Sequence, residues 1–307
     1  MHCSMARITA ALLRQQDDIC SVSVLALLRG KDDFKRLAAS EGEAIIRRDK
    51  EDEEKLAVGI DIARAKGILR GNPHVAKPTQ ICVAGKTAQQ VTDEVLRHLP
   101  NREGNIIVIQ GLSGTGKGTT VEKLQKVLPR CVTWSNGNVF RSYTYLCCEE
   151  LKGAPVVAEL LTPELLSKVE KKVTFEQMKD GGFDILLKGT MRVADIKNTL
   201  LKTPEIGRVV PTVAQQTQGE VIRFANMAVG KLSRAGHNVI LEGRAQTLNN
   251  IPTPLRFELV MDDTTLLGER RAAQRVMARA LSNIKDHLDE APDERVEEAI
   301  MKALTEM

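Results

Sequence analysis

The chain has 307 residues and is 42% apolar, enough to bury the core of one large domain or two ordinary ones. A formal charge of +4 on 27% charged residues, with 3% aromatics and no basic stripe among them, excludes the electrostatic footprint of a nucleic-acid binder. No apolar run reaches the roughly 20 residues of a membrane span, and the six cysteines (Cys3, Cys20, Cys82, Cys131, Cys147 and Cys148) form no CxxC pair and have no histidine at metal spacing.

Such thiols are expected to be reduced, which fits a cytoplasmic location. The opening MHCSMARITAALLRQQDD lacks an apolar signal core; two arginines and no acid before Asp17 give weak support to a mitochondrial presequence. Residues 4–70 read as helical, with Ile45, Leu56, Ile60 and Ile68 spaced for one face. Inside this region runs RRDKEDEEK, Arg47 to Lys55, whose five acids and four bases support each other as a solvated helix surface when taken alone.

Gly71, Asn72, Pro73 and Pro78 then break the chain. TQICVAGKTAQQVTDEVLRHL predicts a strand around Gln80–Ala84, a glycine turn and an amphipathic helix to Leu99. PNREG (100–104) is a polar linker, and NIIVIQ (105–110) is a buried-strand run of the kind found in parallel sheets. Beyond it come a strand at CVTW, a helix from about Val139, and a hairpin in KVTFEQMKDGGFDILLKG turning at Asp180–Gly182. Helices follow from Thr203, where Pro204 and Glu205 suit a helix start, to Arg234. NVILEG and RFELVM are further strands, and TTLLGERRAAQRVMARAL and ERVEEAIMKAL close the chain as helices. Strands alternating with helices predict an α/β layer fold with a mostly parallel sheet.

GLSGTGKGTT, between a strand and a helix, matches the Walker A pattern through Gly111, Gly116 and Lys117, with Thr119 one place later than the usual hydroxyl. Glycines let successive backbone N–H groups turn toward phosphate oxygens, the helix that starts near Lys117 offers its positive end, and the ammonium bridges β- and γ-phosphates. The candidate ATP-binding residues are therefore Gly111, Ser113, Gly114, Thr115, Gly116, Lys117, Gly118 and Thr119. GKT at 85–87 also follows a strand, but Gln80 stands where the first glycine would be, so it reads as a plain turn.

The form GxxGxGKGT resembles nucleoside monophosphate kinases, and within them the bacterial-type cytidylate kinases. WSNGNVFRS, with Asn136, Gly137, Phe140 and Arg141, stands where that family has its acceptor motif D-[ST]-G-A-x-Y-R. DGGFDILLKGTMRVADIKNTLLKTPEIGRVVPTVA is similar to its β-rich acceptor insertion and following helix start, and VIRFANMAVGKLSRAGHNVILEGRA to its helix, strand and GRD turn. The resemblance covers about residues 105–280. It implies a P-loop NTPase fold: a parallel five-stranded sheet flanked by helices, a small β-rich acceptor-binding insertion and a helical lid. Residues 1–72 would be a helical N-terminal region, 73–150 the P-loop core, 151–202 the insertion, and 203–307 core and lid helices.

The resemblance also implies transfer of a phosphoryl group from ATP, with Mg2+, to CMP or dCMP as the small-molecule substrate. Lys117, Arg270 and Arg271 would be catalytic, Arg141, Arg223 and Arg244 would grip the acceptor monophosphate, and Thr119 and Glu242 would serve the metal. Neither nucleic acid nor membrane enters this expectation, and the added helices at both ends leave a face for a protein partner.

The family continues after its ERxxRR helix with a lid segment R-D-x-x-D-S-x-R, a last strand and a last helix. Here GERRAAQR, with Arg270, Arg271 and Arg275, is followed by no such lid segment and no strand. The N-terminal region carries both: RDKEDEEK resembles the lid segment through Arg48, Asp49 and Asp52, with Lys55 in place of the last arginine, and the 80–99 strand and helix resemble the closing pair. The chain thus resembles a circular permutant, with PNREG joining the old ends. Arg48, Asp52 and Lys55, at i, i+4 and i+7, would form one helical face over the phosphates and acceptor. Ser135, Ala245 and Gly207 replace family residues, the last two at base-reading positions, which predicts altered base specificity. The competing expectations are a nucleotide-binding pseudo-kinase serving as an assembly subunit and a kinase for another small hydroxyl substrate.

Overall fold

The computed structural model describes residues 8–16, 18–69, 71, 73, 75–261, 263–284 and 292–307; Cys3, Asp17 and Asn72, named above, lie outside them. The N-terminal region forms α1 (Ala10–Gln15), α2 (Asp18–Leu28) and the 34-residue α3 (Asp32–Ala65). Then come β1 (Thr79–Cys82), α4 (Ala88–Arg97), β2 (Ile106–Gly111), α5 (Lys117–Val127), β3 (Cys131–Trp134), α6 (Asn136–Leu151) and α7 (Pro163–Glu170). A small region of β4 (Val173–Gln177), β5 (Phe183–Leu187), β6 (Met191–Arg192) and α8 (Val193–Ile196) follows. The chain continues through α9 (Pro204–Arg234), β7 (Asn238–Gly243), α10 (Ala245–Leu248), β8 (Arg256–Val260), α11 (Thr264–Ile284) and α12 (Asp293–Thr305).

Local chemistry sets many of these boundaries. Thr87 and Gln90 form a reciprocal capping box that starts α4, and Thr203 caps α9 with Pro204 at its first position. The helix expected from about Val139 begins earlier, at Asn136. The added Asn136, Gly137 and Asn138 are weak helix formers, and at that start the Asn136 carboxamide oxygen accepts from Trp134 Nε1 at 2.8 Å.

The main sheet has five strands in the order β1-β8-β2-β7-β3, all parallel, with helices on both faces, so the chain is an α/β protein. β1 lies at the edge, with Thr79 opposite Phe257 and Cys82 opposite Val260. The glycine-rich loop follows the central strand β2. The smaller sheet, β4-β5-β6, is antiparallel, and its first hairpin closes through Met178 N–H to Gly182 O at 2.8 Å, with Gly181 at φ +83°.

Three apolar cores result. One covers a face of the main sheet with α6, α9 and the small sheet; the second covers the other face with α4, α5 and Ile45 of α3. The third is a helical layer of α1, α2, the start of α3, α11 and α12, so the apolar residues of the terminal helices face one another. Among the described residues no helix is long and apolar enough to cross a membrane.

Helix α3 spans two of these cores and is held closely at both ends. At Gly268 of α11, an added Cβ would collide with the Ala38 carbonyl and stand 2.9 Å from the Gly42 nitrogen. At Gly219 of α9 it would lie 2.6 Å from Ala63 Cβ. Neither position has room for a side chain, which fixes α3 against both neighbours and carries its middle across the end of β2. The 100–104 linker is pinned as well: the buried Asn238 side chain donates to Arg102 O at 2.7 Å and Pro129 O at 2.9 Å and accepts from Asn105 Nδ2 at 2.7 Å.

Candidate phosphate site

β2 ends at Gly111, whose φ of +141° and closeness to the Leu259 carbonyl of β8 leave no space for a Cβ. Gly114 and Gly116 adopt φ of +85° and +87°, the left-handed turns that carry the loop into α5 at little cost only for glycine. The buried Thr115 hydroxyl donates to Leu112 O at 2.9 Å and so ties the loop to itself. Lys117, in the first turn of α5, folds back to donate to Gly111 O at 2.8 Å and Leu112 O at 2.9 Å. Burial, then the nearby Arg244 charge, push its ammonium below the ordinary value, while Glu242 and Asp49 pull the other way.

Arg244 leaves the end of β7 and turns toward the same loop. Its Nη1 donates to Asp49 Oδ2 at 2.9 Å and Gly111 O at 3.3 Å, and its Nη2 to Asp49 Oδ1 and, at 3.1 Å, to Ser113 Oγ. Ser113 completes the arrangement: its N–H donates to Asp49 Oδ2 at 2.7 Å and its hydroxyl to Oδ1 at 2.8 Å. The Asp49 side chain is 2% exposed. Burial pushes its carboxyl up, but the Ser113 N–H and the Arg244 guanidinium outweigh that and hold it below the ordinary value.

Arg48, Arg270 and Arg271 line one cleft with Ser113 and Gly114, so α3 and α11 together bring three cations beside the loop. Asp52, one turn on from Arg48, stands 4.0 Å from Arg244 Nη2. Lys55 does not join them. It is exposed, because at about 100° per residue it lies about 120° around the helix from Asp49. The face of α3 that meets the loop is therefore centred on Ile45 and Asp49, with Arg48 and Asp52 on its flanks and Lys55 outside it. Asp49 is the residue that the helical-face argument passed over. Its position four after the buried Ile45 was the signal that could have found it.

The other expected residues are placed less tightly. Arg141 lies in the first turns of α6, with Nη1 3.0 Å from where a Gly137 Cβ would be, so that glycine leaves room for the guanidinium. Arg223 is exposed and pairs with Glu170 of α7 at 2.6 Å; among the described residues no hydrogen bond or ion pair joins it to the loop. Asn136 is engaged with Trp134. Gly118 is exposed and Thr119 half-buried in α5, and Glu242 is exposed near the end of β7, close enough to Lys117 to act on its charge.

No family model matches the chain, and a search of curated proteins finds no match either. The site stands on its own geometry. Among the described residues there is no group of three or more His, Cys, Asp or Glu able to hold a metal ion by itself. Magnesium in its usual protein role takes only one or two protein oxygens, the rest of its shell coming from water and substrate phosphates. Glu242, exposed near the end of β7, and Thr119, half-buried in α5, each carry an oxygen of that kind.

Proposed function

We propose that the chain is a nucleoside monophosphate kinase, transferring the γ-phosphoryl group of ATP to CMP or dCMP with altered base preference. The observation that carries this reading is the loop from Gly111 to Gly116, with left-handed glycines, ending in Lys117 at the start of α5. Such a turn offers anion-binding N–H groups and the positive end of a helix. Lys117 would move from the Gly111 and Leu112 carbonyls to the transferring phosphoryl, with Arg48, Arg270 and Arg271 neutralising charge from the cleft above. Arg141, Arg223 and Arg244 are the acceptor-phosphate candidates. Glu242 and Thr119 would hold magnesium, which supplies charge neutralisation on the β- and γ-phosphates when bound.

The same reading includes circular permutation. It is supported by β1 lying parallel beside β8, by α3 packing on α11, by Asp49 and Asp52 at Arg244, and by the short pinned linker between α4 and β2. A chain recut within 100–104, with its present ends joined, should then fold with an unchanged far-ultraviolet circular dichroism spectrum.

The test is phosphoryl transfer from ATP to a panel of nucleoside monophosphates, with Lys117→Ala as control. Turnover on CMP or dCMP that falls by at least about 100-fold in the variant supports the kinase. ATP binding without turnover on any acceptor supports the second reading, a nucleotide-binding pseudo-kinase. That reading draws on the replacements at Ala245 and Gly207 and on an Arg244 fork already engaged by Asp49.

A further inference from the structure

We propose that Asp49 is an internal anion seated on the phosphate donors of the glycine-rich loop, and that a phosphate ligand enters there by displacing its carboxylate. The inference rests on the loop being a phosphate site, as proposed above. It adds a residue with a competing role.

A guanidinium has five N–H donors, four of them on its two Nη atoms. All four of these on Arg244 are used: Nη1 on Asp49 Oδ2 and Gly111 O, and Nη2 on Asp49 Oδ1 and Ser113 Oγ. The Ser113 N–H, which the loop could present to an anion, is also taken, at 2.7 Å, by Asp49 Oδ2. Two oxygens thus collect four donors in the bidentate manner that serves carboxylate and phosphate alike. Arg244 can grip an acceptor phosphate with its fork only after this carboxylate has left it.

The helix that carries Asp49 is not free to withdraw. The approach of Gly268 to Ala38 and Gly42 on one side, and of Gly219 to Ala63 on the other, fixes α3 on α11 and α9. The exchange is therefore a rotation of the Asp49 side chain, one anion leaving the Arg244 fork as another arrives. Arg48, Arg270 and Arg271 line the cleft that opens on Ser113 and Gly114, so the approach is cationic while the seat itself is occupied.

Asp49→Asn keeps the shape and removes the charge. In titration calorimetry on the full chain, inorganic pyrophosphate should bind Asp49→Asn about tenfold tighter than the wild type, because no like charge has to be displaced. Equal or weaker binding by a folded variant, checked by circular dichroism, would mean that Asp49 is a fixed brace, and overturns the proposal. Should the variant fail to fold, the wild-type chain decides. With 13C-labelled aspartate, the Asp49 carboxyl resonance should move on saturation with pyrophosphate, and a resonance that stays in place overturns the proposal. If neither chain binds pyrophosphate or ATP, the phosphate-site reading itself fails and takes this inference with it.

Discussion

Helices α3 and α9 each bury an acid, and the two acids are held in opposite ways. Asp49 of α3, at the end of the sheet, receives four hydrogen bonds from Ser113 and Arg244, and its carboxyl sits below the ordinary value despite burial. Glu220 of α9, 5% exposed, faces Lys66 at 3.8 Å through Oε1, while Oε2 is buried without a hydrogen-bond partner among the described residues. Lys66 gives its close hydrogen bond to Gln216 O, at 2.6 Å. Burial accordingly pushes the Glu220 carboxyl up. The difference lies in aimed donors rather than in depth: burial disfavours the anion in both places, and only beside the loop do N–H and guanidinium groups reverse it.

The largest expected effect comes from cutting the better-held acid. Asp49→Ala leaves the Arg244 guanidinium, itself 16% exposed, without its counter-charge, and deletes the tie from α3 to the loop. Removing one partner of a buried ion pair costs about 3–5 kcal/mol. Equilibrium unfolding in urea should show a loss in that range; a loss below about 1 kcal/mol would mean that the pair is solvated in solution and that the contrast with Glu220 is not real.

A smaller effect is expected from acid. A carboxyl whose folded value is depressed contributes stability that is fully present above its unfolded value. That contribution disappears as pH falls below it, through the lower folded value. For Asp49 the ordinary value is 3.8, so the window lies below about pH 4. Melting temperatures of the wild type and Asp49→Asn should differ by a constant amount from pH 7 to 5 and converge as pH drops under 4. A gap that stays constant to pH 2.5 would remove the charge from the explanation.

The same contrast marks where reading the sequence stops. The strand at 79–82, its turn and the capped helix after it were legible, because a short apolar run and a Thr87–Gln90 cap act within a few residues. The glycine-rich loop was legible for the same reason: Gly111, Gly114 and Gly116 stand where only glycine accepts the backbone. The role of Asp49 was not. Among nine consecutive charged residues the periodicity of charge favours no single member, and what buries Asp49 are partners 64 and 195 positions away, Ser113 and Arg244. Lys55 was joined to that face by its i+7 spacing from Arg48, whereas Ile45 and Ile60, both buried, define where the helix turns inward. Arg223 shows the converse: the resemblance of its helix named it for the acceptor phosphate, but its ion pair is with Glu170 of α7.

The smallest effect should come from Glu220, and its sign is the opposite one. A carboxyl whose folded value is raised binds its proton more tightly when folded, so its ionised form weighs against the fold above that value, and the penalty fades as pH falls through it. Glu220→Gln removes the charge while keeping the length of the side chain, and Lys66 retains its bond to Gln216 O. At pH 8 the variant should be as stable as the wild type or more stable by up to about 1 kcal/mol, since an under-satisfied buried charge is replaced by a neutral amide. Toward the ordinary value of 4.5 the advantage should vanish, because the wild-type acid is then already protonated in the folded chain. Denaturant unfolding at both pH values checks this. A clear destabilisation at pH 8 would show that Lys66 and Glu220 form a strong pair in solution, and that α3 is bound to α9 by charge as firmly as it is to the loop.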